Sequence, residues 1–168
     1  MDYYSIDYGE VTQLRAAYAK APAIVREELG AAVREADLLL MREVSDLAPV
    51  GAGGAAGFKG SLFHEESIED SGVTGLVSTS VQYAVPVELG TRPHFPPIQP
   101  LIDWVRAKLA VQEEATARGI AFAIARKISV RGTEAQRPFG RVFQAQEEQV
   151  RGIFDAAVGR IAARLGAA

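Results

Sequence analysis

The sequence predicts an α+β fold in which a small antiparallel β-sheet packs against a long N-terminal helix and C-terminal helices. Three observations support this class. Apolar residues recur every three to four positions over residues 25–47, which is typical of one face of a long helix. Two runs rich in strand-forming residues follow, with a turn between them, over residues 62–81. Helical periodicity then returns from residue 101 to residue 165.

The chain has 168 residues, and we expect residues 1–168 to form a single domain. There is no cysteine, which excludes disulfides and any thiolate site. The net charge of -3 argues against a nucleic-acid binder that works through bulk electrostatics. No apolar stretch approaches the roughly 20 residues that a membrane-spanning helix needs, so we expect no membrane partner.

The N-terminal part is expected to be a flexible or partner-ordered arm over residues 1–9, followed by a helix from Val11. Pro22 either kinks that helix or starts a new one. Beyond Pro22, the residues of the apolar stripe share helical spacing: Val25, Leu29, Ala32, Val33, Ala36, Leu40, Val44 and Leu47. The sequence Ala48-Pro49-Val50 is expected to end the helix.

A Gly-rich segment over residues 51–60 is predicted to be a mobile loop. A phosphate-binding loop is the competing interpretation. It fails because no Gly-Lys-Ser/Thr ending is present and because the run follows a helix instead of a strand.

The next segment is predicted to be a β-hairpin, with strands over residues 62–68 and 73–81 and a turn at Asp70-Ser71-Gly72. This hairpin is distinctly acidic. Its carboxylates are Glu65, Glu66, Glu69 and Asp70.

Residues 83–89 follow, and Pro86 restricts them to an edge strand, a bulge or a short helical turn. Gly90 allows a positive φ and a sharp exit. We expect the remaining helices to start at Pro100, near Glu113 and near Gly140 or Arg141, and the second of them to end at Ile128. Their predicted inward residues are Leu101, Ile102, Val105, Leu109, Ile120, Ala121, Ile124, Ile128, Val142, Phe143, Val150, Phe154, Val158, Ile161 and Leu165.

No catalytic constellation is evident, and we expect no enzyme activity, no cofactor and no metal site. The sequence His64-Glu65-Glu66 lacks the second histidine of the His-Glu-x-x-His zinc motif. No serine lies in a Gly-x-Ser-x-Gly elbow. Adjacent carboxylates such as Glu147 and Glu148 would point to different faces of a helix, so they are weak candidates for an acid/base pair.

The charges are unevenly distributed along the chain. The acidic hairpin contrasts with a basic segment from Arg118 to Arg141, which contains six cations against Glu134. Opposite patches on one small protein suit head-to-tail contacts, and such contacts can close into rings. Chance clustering of surface charge is an equally good explanation at this point.

Four segments together resemble one family. Ala48-Pro49-Val50-Gly51, followed by Gly60-Ser61-Leu62, resembles that family's Ala-Pro-Val-x-Thr-Gly-x-Leu segment. The stretch from Tyr83-Ala84 through Val87-Glu88 to Gly90-Thr91 resembles its Tyr-Ala-x-x-Val-Glu-x-Gly-Thr motif. Residues 101–109 resemble the helix that follows, and Arg137-Pro138-Phe139 resembles its x-Pro-Phe motif before a terminal helix. The family comprises the tail-completion, neck or head–tail joining proteins of long-tailed, double-stranded DNA bacteriophages.

The resemblance implies a structural virion protein without a cofactor, made in the host cytoplasm and located in the neck or tail. It would form a ring, sixfold in this family, at the head–tail junction, next to connector and tail-tube proteins, and let double-stranded DNA pass without sequence recognition. A tail terminator or stopper is the alternative in the same neck. A cytoplasmic nucleic-acid-binding or regulatory module is the alternative of another class.

Two sets of residues become candidates for this role. The candidate contact residues lie in the family-like segments or just after one of them: Tyr83, Glu88, Gly90, Thr91, His94, Arg137 and Phe139. The candidate channel-facing residues are the acidic ones of the hairpin: Glu65, Glu66, Glu69 and Asp70. Negative charge along a channel would let DNA pass without sticking.

Overall fold

A computed structural model describes the backbone of residues 9–49, 57–69 and 72–166, with side chains from Ala19 onward in these ranges. Its elements are α1 (Gly9–Leu47), a short 3-10 turn (Lys59–Ser61), β1 (Leu62–Glu69), β2 (Gly72–Thr79), α2 (Ala84–Leu89), α3 (Ile98–Leu109), α4 (Glu114–Arg131) and α5 (Pro138–Gly166). The strands form a two-stranded antiparallel sheet. The predicted α+β class is therefore confirmed. Residues 1–8 of the predicted arm and 51–56 of the predicted loop lie outside the described residues.

Helix α1 is continuous through Pro22, so this proline does not start a new helix. The predicted stripe is buried from Ala32 to Val44. Leu47 was expected inside but is exposed, since it is the last residue of the helix. Leu38 is also exposed and lies off the buried face. The 3.6-residue period therefore identifies the buried face of α1. It does not show at which residue other parts of the chain stop covering that face.

The chain divides into two compact units, and each is described by itself. Unit 1 comprises residues 1–38, 65–76 and 147–168, and unit 2 comprises residues 39–64 and 77–146. Both strands, α1 and α5 contribute residues to each unit.

In unit 1, α1 supports the hairpin. The Arg34 guanidinium donates two hydrogen bonds to the Glu66 carboxylate, at 2.9 and 3.0 Å. Gly75 lies so close to the Asp37 carboxylate that a Cβ at this position would overlap it. A two-stranded hairpin is marginally stable alone, so these contacts with α1 stabilise it.

Unit 1 also joins α1 to α5 through ion pairs. Arg160 Nε lies 2.7 Å from Glu28 Oε2, and Arg164 Nη1 lies 2.8 Å from Glu28 Oε1. A third bond joins Arg164 Nη2 to Glu27 Oε2 at 2.9 Å. The hydrogen bond from Arg160, followed by that from Arg164, lowers the pKa of Glu28 below its ordinary value.

This lowered pKa predicts an acid-sensitive contribution to stability. A depressed carboxyl pKa stabilises the folded state above the unfolded pKa of about 4.3, and the effect is lost as pH falls through the folded pKa. We expect Glu28→Gln to lower the melting temperature at pH 7 and to approach the wild-type value near pH 3. Thermal unfolding followed by circular dichroism from pH 7 to pH 3 measures this difference.

The control is Glu147→Gln, whose ion pair with Arg151 joins two largely exposed side chains of one helix. Such a pair contributes little, so the control should follow the wild type at every pH. A melting difference for Glu28→Gln that does not change with pH would contradict the assignment.

The core of unit 2 lies between α3 and α4. Ile102 and Val105 from α3 pack on Ala117 and Ala121 from α4. Partly buried hydrophobic residues surround this cluster: Ile98, Leu101, Trp104, Val111, Ile120 and Ile124. The buried positions of α4 are alanines. Small side chains leave room for α3 to approach α4 closely.

Three helix boundaries differ from the sequence prediction. Helix α3 begins at Ile98, which makes Pro100 its third residue, where an N–H would have no helical acceptor. Helix α4 continues three residues beyond Ile128, to Arg131. Helix α5 begins at Pro138, two residues before the predicted start. Proline and glycine therefore indicate that a boundary is near, but not its exact residue.

Three further residues were expected to face the core and are exposed: Leu109, Phe143 and Val158. Each lies at helical spacing from buried neighbours, but no other element covers it among the described residues. Periodicity gives the direction of a side chain, whereas burial also needs a partner at that place.

Candidate functional site

Two of the family-like segments, at residues 83–91 and 137–139, lie together in unit 2, although more than 40 residues separate them in sequence. Residues 83–94 and 132–141 form what we call the α2–α5 junction. Thr91 and Thr133 form an isolated antiparallel bridge, with N–H to carbonyl distances of 3.1 and 3.2 Å in the two directions. Their hydroxyls lie 3.0 Å apart. The Gln136 N–H donates to the Val87 carbonyl at 2.9 Å, which extends the connection toward α5.

Glu88 caps the N-terminus of α5 from a distant segment. Its Oε2 accepts the Phe139 N–H at 3.0 Å, and its Oε1 accepts the Gly140 N–H at 2.9 Å. These donors belong to the first turn of α5, where backbone N–H groups have no helical acceptor. A carboxylate at this end also interacts favourably with the helix dipole. Glu88 thus has a structural role in joining α2 to α5.

Gly90 and Gly132 adopt backbone angles that only glycine readily populates. Gly90 has φ 71° and ψ -177°, and Gly132 has φ 68° and ψ -158°. They directly precede the bridged threonines, so the junction uses the same Gly-Thr dipeptide twice. A Cβ on Gly90 would lie 2.5 Å from the Thr133 carbonyl oxygen, and one on Gly132 would overlap the Thr91 carbonyl. The bridge requires glycine at both positions.

An aromatic cluster lies beside the junction. The Phe58 ring is 6.3 Å from that of Tyr83 and 6.0 Å from that of Phe139, and Phe58 is fully buried. Aromatic pairs at this spacing contribute about 0.5–1.5 kcal/mol beyond their burial. Residues 57–60 were predicted as the end of the mobile loop, but Phe58 packs here and Lys59–Ser61 forms a 3-10 turn. The loop prediction therefore extended too far at this end.

The candidate contact residues differ in how accessible they are. Glu88, Gly90, Thr91 and Phe139 are partly buried and engaged in the junction. Tyr83, His94 and Arg137 are exposed at its surface. The His94 Nδ1 lies 2.9 Å from the Arg92 carbonyl oxygen. Arg137, the residue before α5, has a positive φ of 53°. This left-handed conformation costs free energy in a residue other than glycine.

The acidic candidates of the hairpin also separate into groups. Glu66 lies on the face toward α1, where Arg34 pairs with it. Glu65 and Glu69 are exposed, at alternate positions of β1 from Glu66. Asp70 lies outside the described residues. Glu69 lines a pocket together with Val25, Arg26 and Leu29 of α1. Among the described acidic residues of β1, Glu65 therefore faces away from α1.

The contacts of the junction are of the kind that hold segments of a fold together. Its polar groups hydrogen-bond one another, and its apolar part is a packed aromatic cluster. Within the described ranges, no group of three or more histidine or acidic side chains could hold a metal ion. In the same part of the chain, no helix is long and apolar enough to cross a bilayer.

Comparisons with protein-family models, with curated proteins and with solved structures found no match.

Three residues in or beside the junction were missed from the sequence: Phe58, Gly132 and Thr133. The repeated Gly-Thr dipeptide was an available signal for the last two. Phe58 gave no signal, because an aromatic residue next to a Gly-rich run is equally compatible with a loop. Its partners lie 25 or more positions away and become neighbours only through the fold.

Proposed function

We propose that this chain is a structural virion protein of a long-tailed phage, which forms a ring at the head–tail junction, completes the tail and lets DNA pass. Neighbouring connector and tail-tube proteins would be its partners, together with further copies of itself. A tail terminator or stopper in the same neck is the variant of this function that uses the same ring.

The observation that supports the proposal most is the α2–α5 junction. The Val-Glu-x-Gly-Thr and x-Pro-Phe segments resemble the phage family separately, and Glu88 bonds one to the other through Phe139 and Gly140. Glu88 and the Pro138-Phe139 pair therefore occur in one structural unit, because the Glu88 carboxylate accepts hydrogen bonds from the start of α5. The two segments that resemble the family in sequence are therefore also joined in the fold.

The hairpin supplies the second part of the proposal. Of its acidic residues, Glu65 would line the channel, since Glu66 is paired with Arg34 and Glu69 lies beside α1. Like charge on the wall would keep DNA from adhering during passage. A structure of the assembled ring that places Glu65 on the outer wall would overturn this part.

The function is tested by inactivating the gene in the phage or prophage that encodes it and examining the lysate by electron microscopy. We expect DNA-filled heads and separate tails. Normal infectious particles would contradict the proposal.

A nucleic-acid-binding module remains the second candidate because of the cations on α4. Arg118, Arg126, Lys127 and Arg131 are exposed and make no ion pair within the described residues. Phosphate contacts would make binding weaken steeply with salt. Retention of the purified protein on duplex DNA at about 50 mM salt, lost near 200 mM, would favour this candidate over the ring.

A further inference from the structure

Helix α4 is apolar on two faces, and the chain itself covers one of them. Ala117, Ala121 and Ala125 are buried on the inner side. On the exposed side of the helix, Phe122 is 56% exposed and Val130 is 69% exposed. Single exposed apolar residues are ordinary, but these two lie at helical spacing on one face. We call this the outer face of α4; it comprises Ala115, Gly119, Phe122, Arg126 and Val130.

A neighbouring aromatic residue enlarges this apolar surface. The Phe95 ring packs edge-on against Phe122 with centroids 5.7 Å apart, and it is 53% exposed. The two rings together form a raised aromatic knob. Around it, Arg118 and Arg126 supply positive charge that no carboxylate among the described residues neutralises.

The outer face of α5 has the complementary features. In the part that belongs to unit 1, its exposed residues at helical spacing are Glu148, Gly152, Asp155, Gly159 and Ala162. Glu148 and Asp155 make no ion pair within the described residues. A Cβ on Gly152 or Gly159 would meet nothing within 4 Å, so neither glycine is required by packing within the chain. Each glycine is less favourable than alanine in a helix interior.

We propose that the outer face of α4 in one copy binds the outer face of α5 in the next copy. The aromatic knob of Phe122 and Phe95 would enter the hollow at Gly152 and Gly159, as ridges fit grooves between packed helices. Arg118 and Arg126 would pair with Glu148 and Asp155. A second copy is the occupant because the charges, the knob and the hollow that complement one another are all carried by this chain.

The contact is heterologous, since it joins two different surfaces. Repetition of a heterologous contact gives a ring when the rotation closes. This inference rests on the proposed ring function and specifies which surfaces build the ring. The hairpin and its acidic residues are not used by it, so the channel-facing role of Glu65 is independent.

Charge reversal with mixing tests the contact. One variant carries Arg118→Glu and Arg126→Glu, and the other carries Glu148→Arg and Asp155→Arg. Each variant alone places like charges at every contact, which is destabilising, so we expect at least tenfold weaker self-association. In an equimolar mixture, reversed α4 meets reversed α5 and native α4 meets native α5. Mixing should therefore restore assembly with alternating subunits.

The measurement is mass photometry or sedimentation velocity, with negative-stain images of the assembled fraction. The control variant carries Glu35→Arg and Glu134→Arg, which changes the net charge as much as the α5 reversal but alters exposed residues outside both faces. This control should assemble like the wild type. Circular dichroism of each variant before mixing identifies any loss of folding, and recovery on mixing could not come from a misfolded chain.

Each outcome has a distinct meaning. If the wild type forms rings and both reversed variants do so alone, the α4–α5 contact is wrong while the ring function stands. If the wild type stays monomeric at all concentrations, both the contact and the ring are overturned. If the wild type associates only when duplex DNA is added, and the Arg118 and Arg126 reversal abolishes retention on that DNA, the face binds nucleic acid and the proposal fails.

Discussion

Replacing Gly132 with alanine is expected to destabilise the protein by about 3 kcal/mol or more, because the new side chain meets two separate obstacles. The φ of 68° and ψ of -158° lie in a region that is essentially restricted to glycine. In addition, the added Cβ would overlap the Thr91 carbonyl, which is backbone and part of the bridge. Neither obstacle can be relieved by rotating a side chain. Urea unfolding followed by circular dichroism and tryptophan fluorescence measures the loss.

The matched control is Gly119→Ala. Gly119 lies inside α4 with open space where a Cβ would be, and it has no positive φ. Alanine there should stabilise the purified protein by about 0.5–1 kcal/mol, since alanine has the higher helix propensity. Equal stability of Gly132→Ala and the wild type would show that the Thr91–Thr133 bridge does not form as described.

Removal of the Glu88 carboxylate is the second large effect that we expect. Glu88→Ala leaves two N–H groups at the start of α5 without their acceptor and separates α2 from α5. Hydrogen bonds to a charged group contribute about 1.5–3 kcal/mol each, and water replaces part of that at a half-exposed site. We therefore expect a loss of about 2–4 kcal/mol in urea unfolding.

Two further variants distinguish the cap from a general charge effect. Glu88→Gln offers one oxygen in place of two, so its loss should lie between those of the wild type and Glu88→Ala. Glu134→Ala removes the same charge from an exposed position in the same segment and should change stability by less than about 0.5 kcal/mol. If Glu88→Ala behaved like Glu134→Ala, the capping role would be refuted.

The long elements could be predicted because their patterns repeat many times. Helix α1 shows its apolar spacing over several turns, and the two strands show strand-forming residues on either side of a turn. Helix α2 has six residues with Pro86 inside, which is too short for periodicity to separate a helical turn from an edge strand. Secondary structure can therefore be predicted from periodicity only where the pattern repeats over enough residues.

Part of the α2–α5 junction could be predicted from the sequence. The motif that contains Glu88 identifies it as a candidate contact residue but not as a helix cap, and the sequence predicts that Gly90 allows a positive φ, which it has. The partners of Glu88 lie 51 and 52 residues away, and nothing local to Phe139 or Gly140 specifies where their acceptor comes from. Tertiary hydrogen bonds of this kind arise from how helices pack, so a single sequence does not reveal them.

The exposure of several apolar residues could not be predicted either, because it depends on how the helices pack. Phe143 and Val158 match the period of α5, yet their side of the helix has no cover among the described residues. Phe122 does not belong to the inner stripe of α4, and its significance appears only once Phe95 is seen beside it. An apolar period along a helix therefore does not distinguish a buried face from an exposed one.

A complementation experiment on phage lysates tests whether this protein joins heads to tails. The gene is inactivated, and the wild-type or a variant protein is supplied in trans. We expect filled heads and unattached tails without complementation, and infectious particles with the wild type or with Glu134→Ala. We further expect no rescue by Gly132→Ala. Infectious particles of normal yield in the uncomplemented lysate would contradict the claim that this protein joins heads to tails.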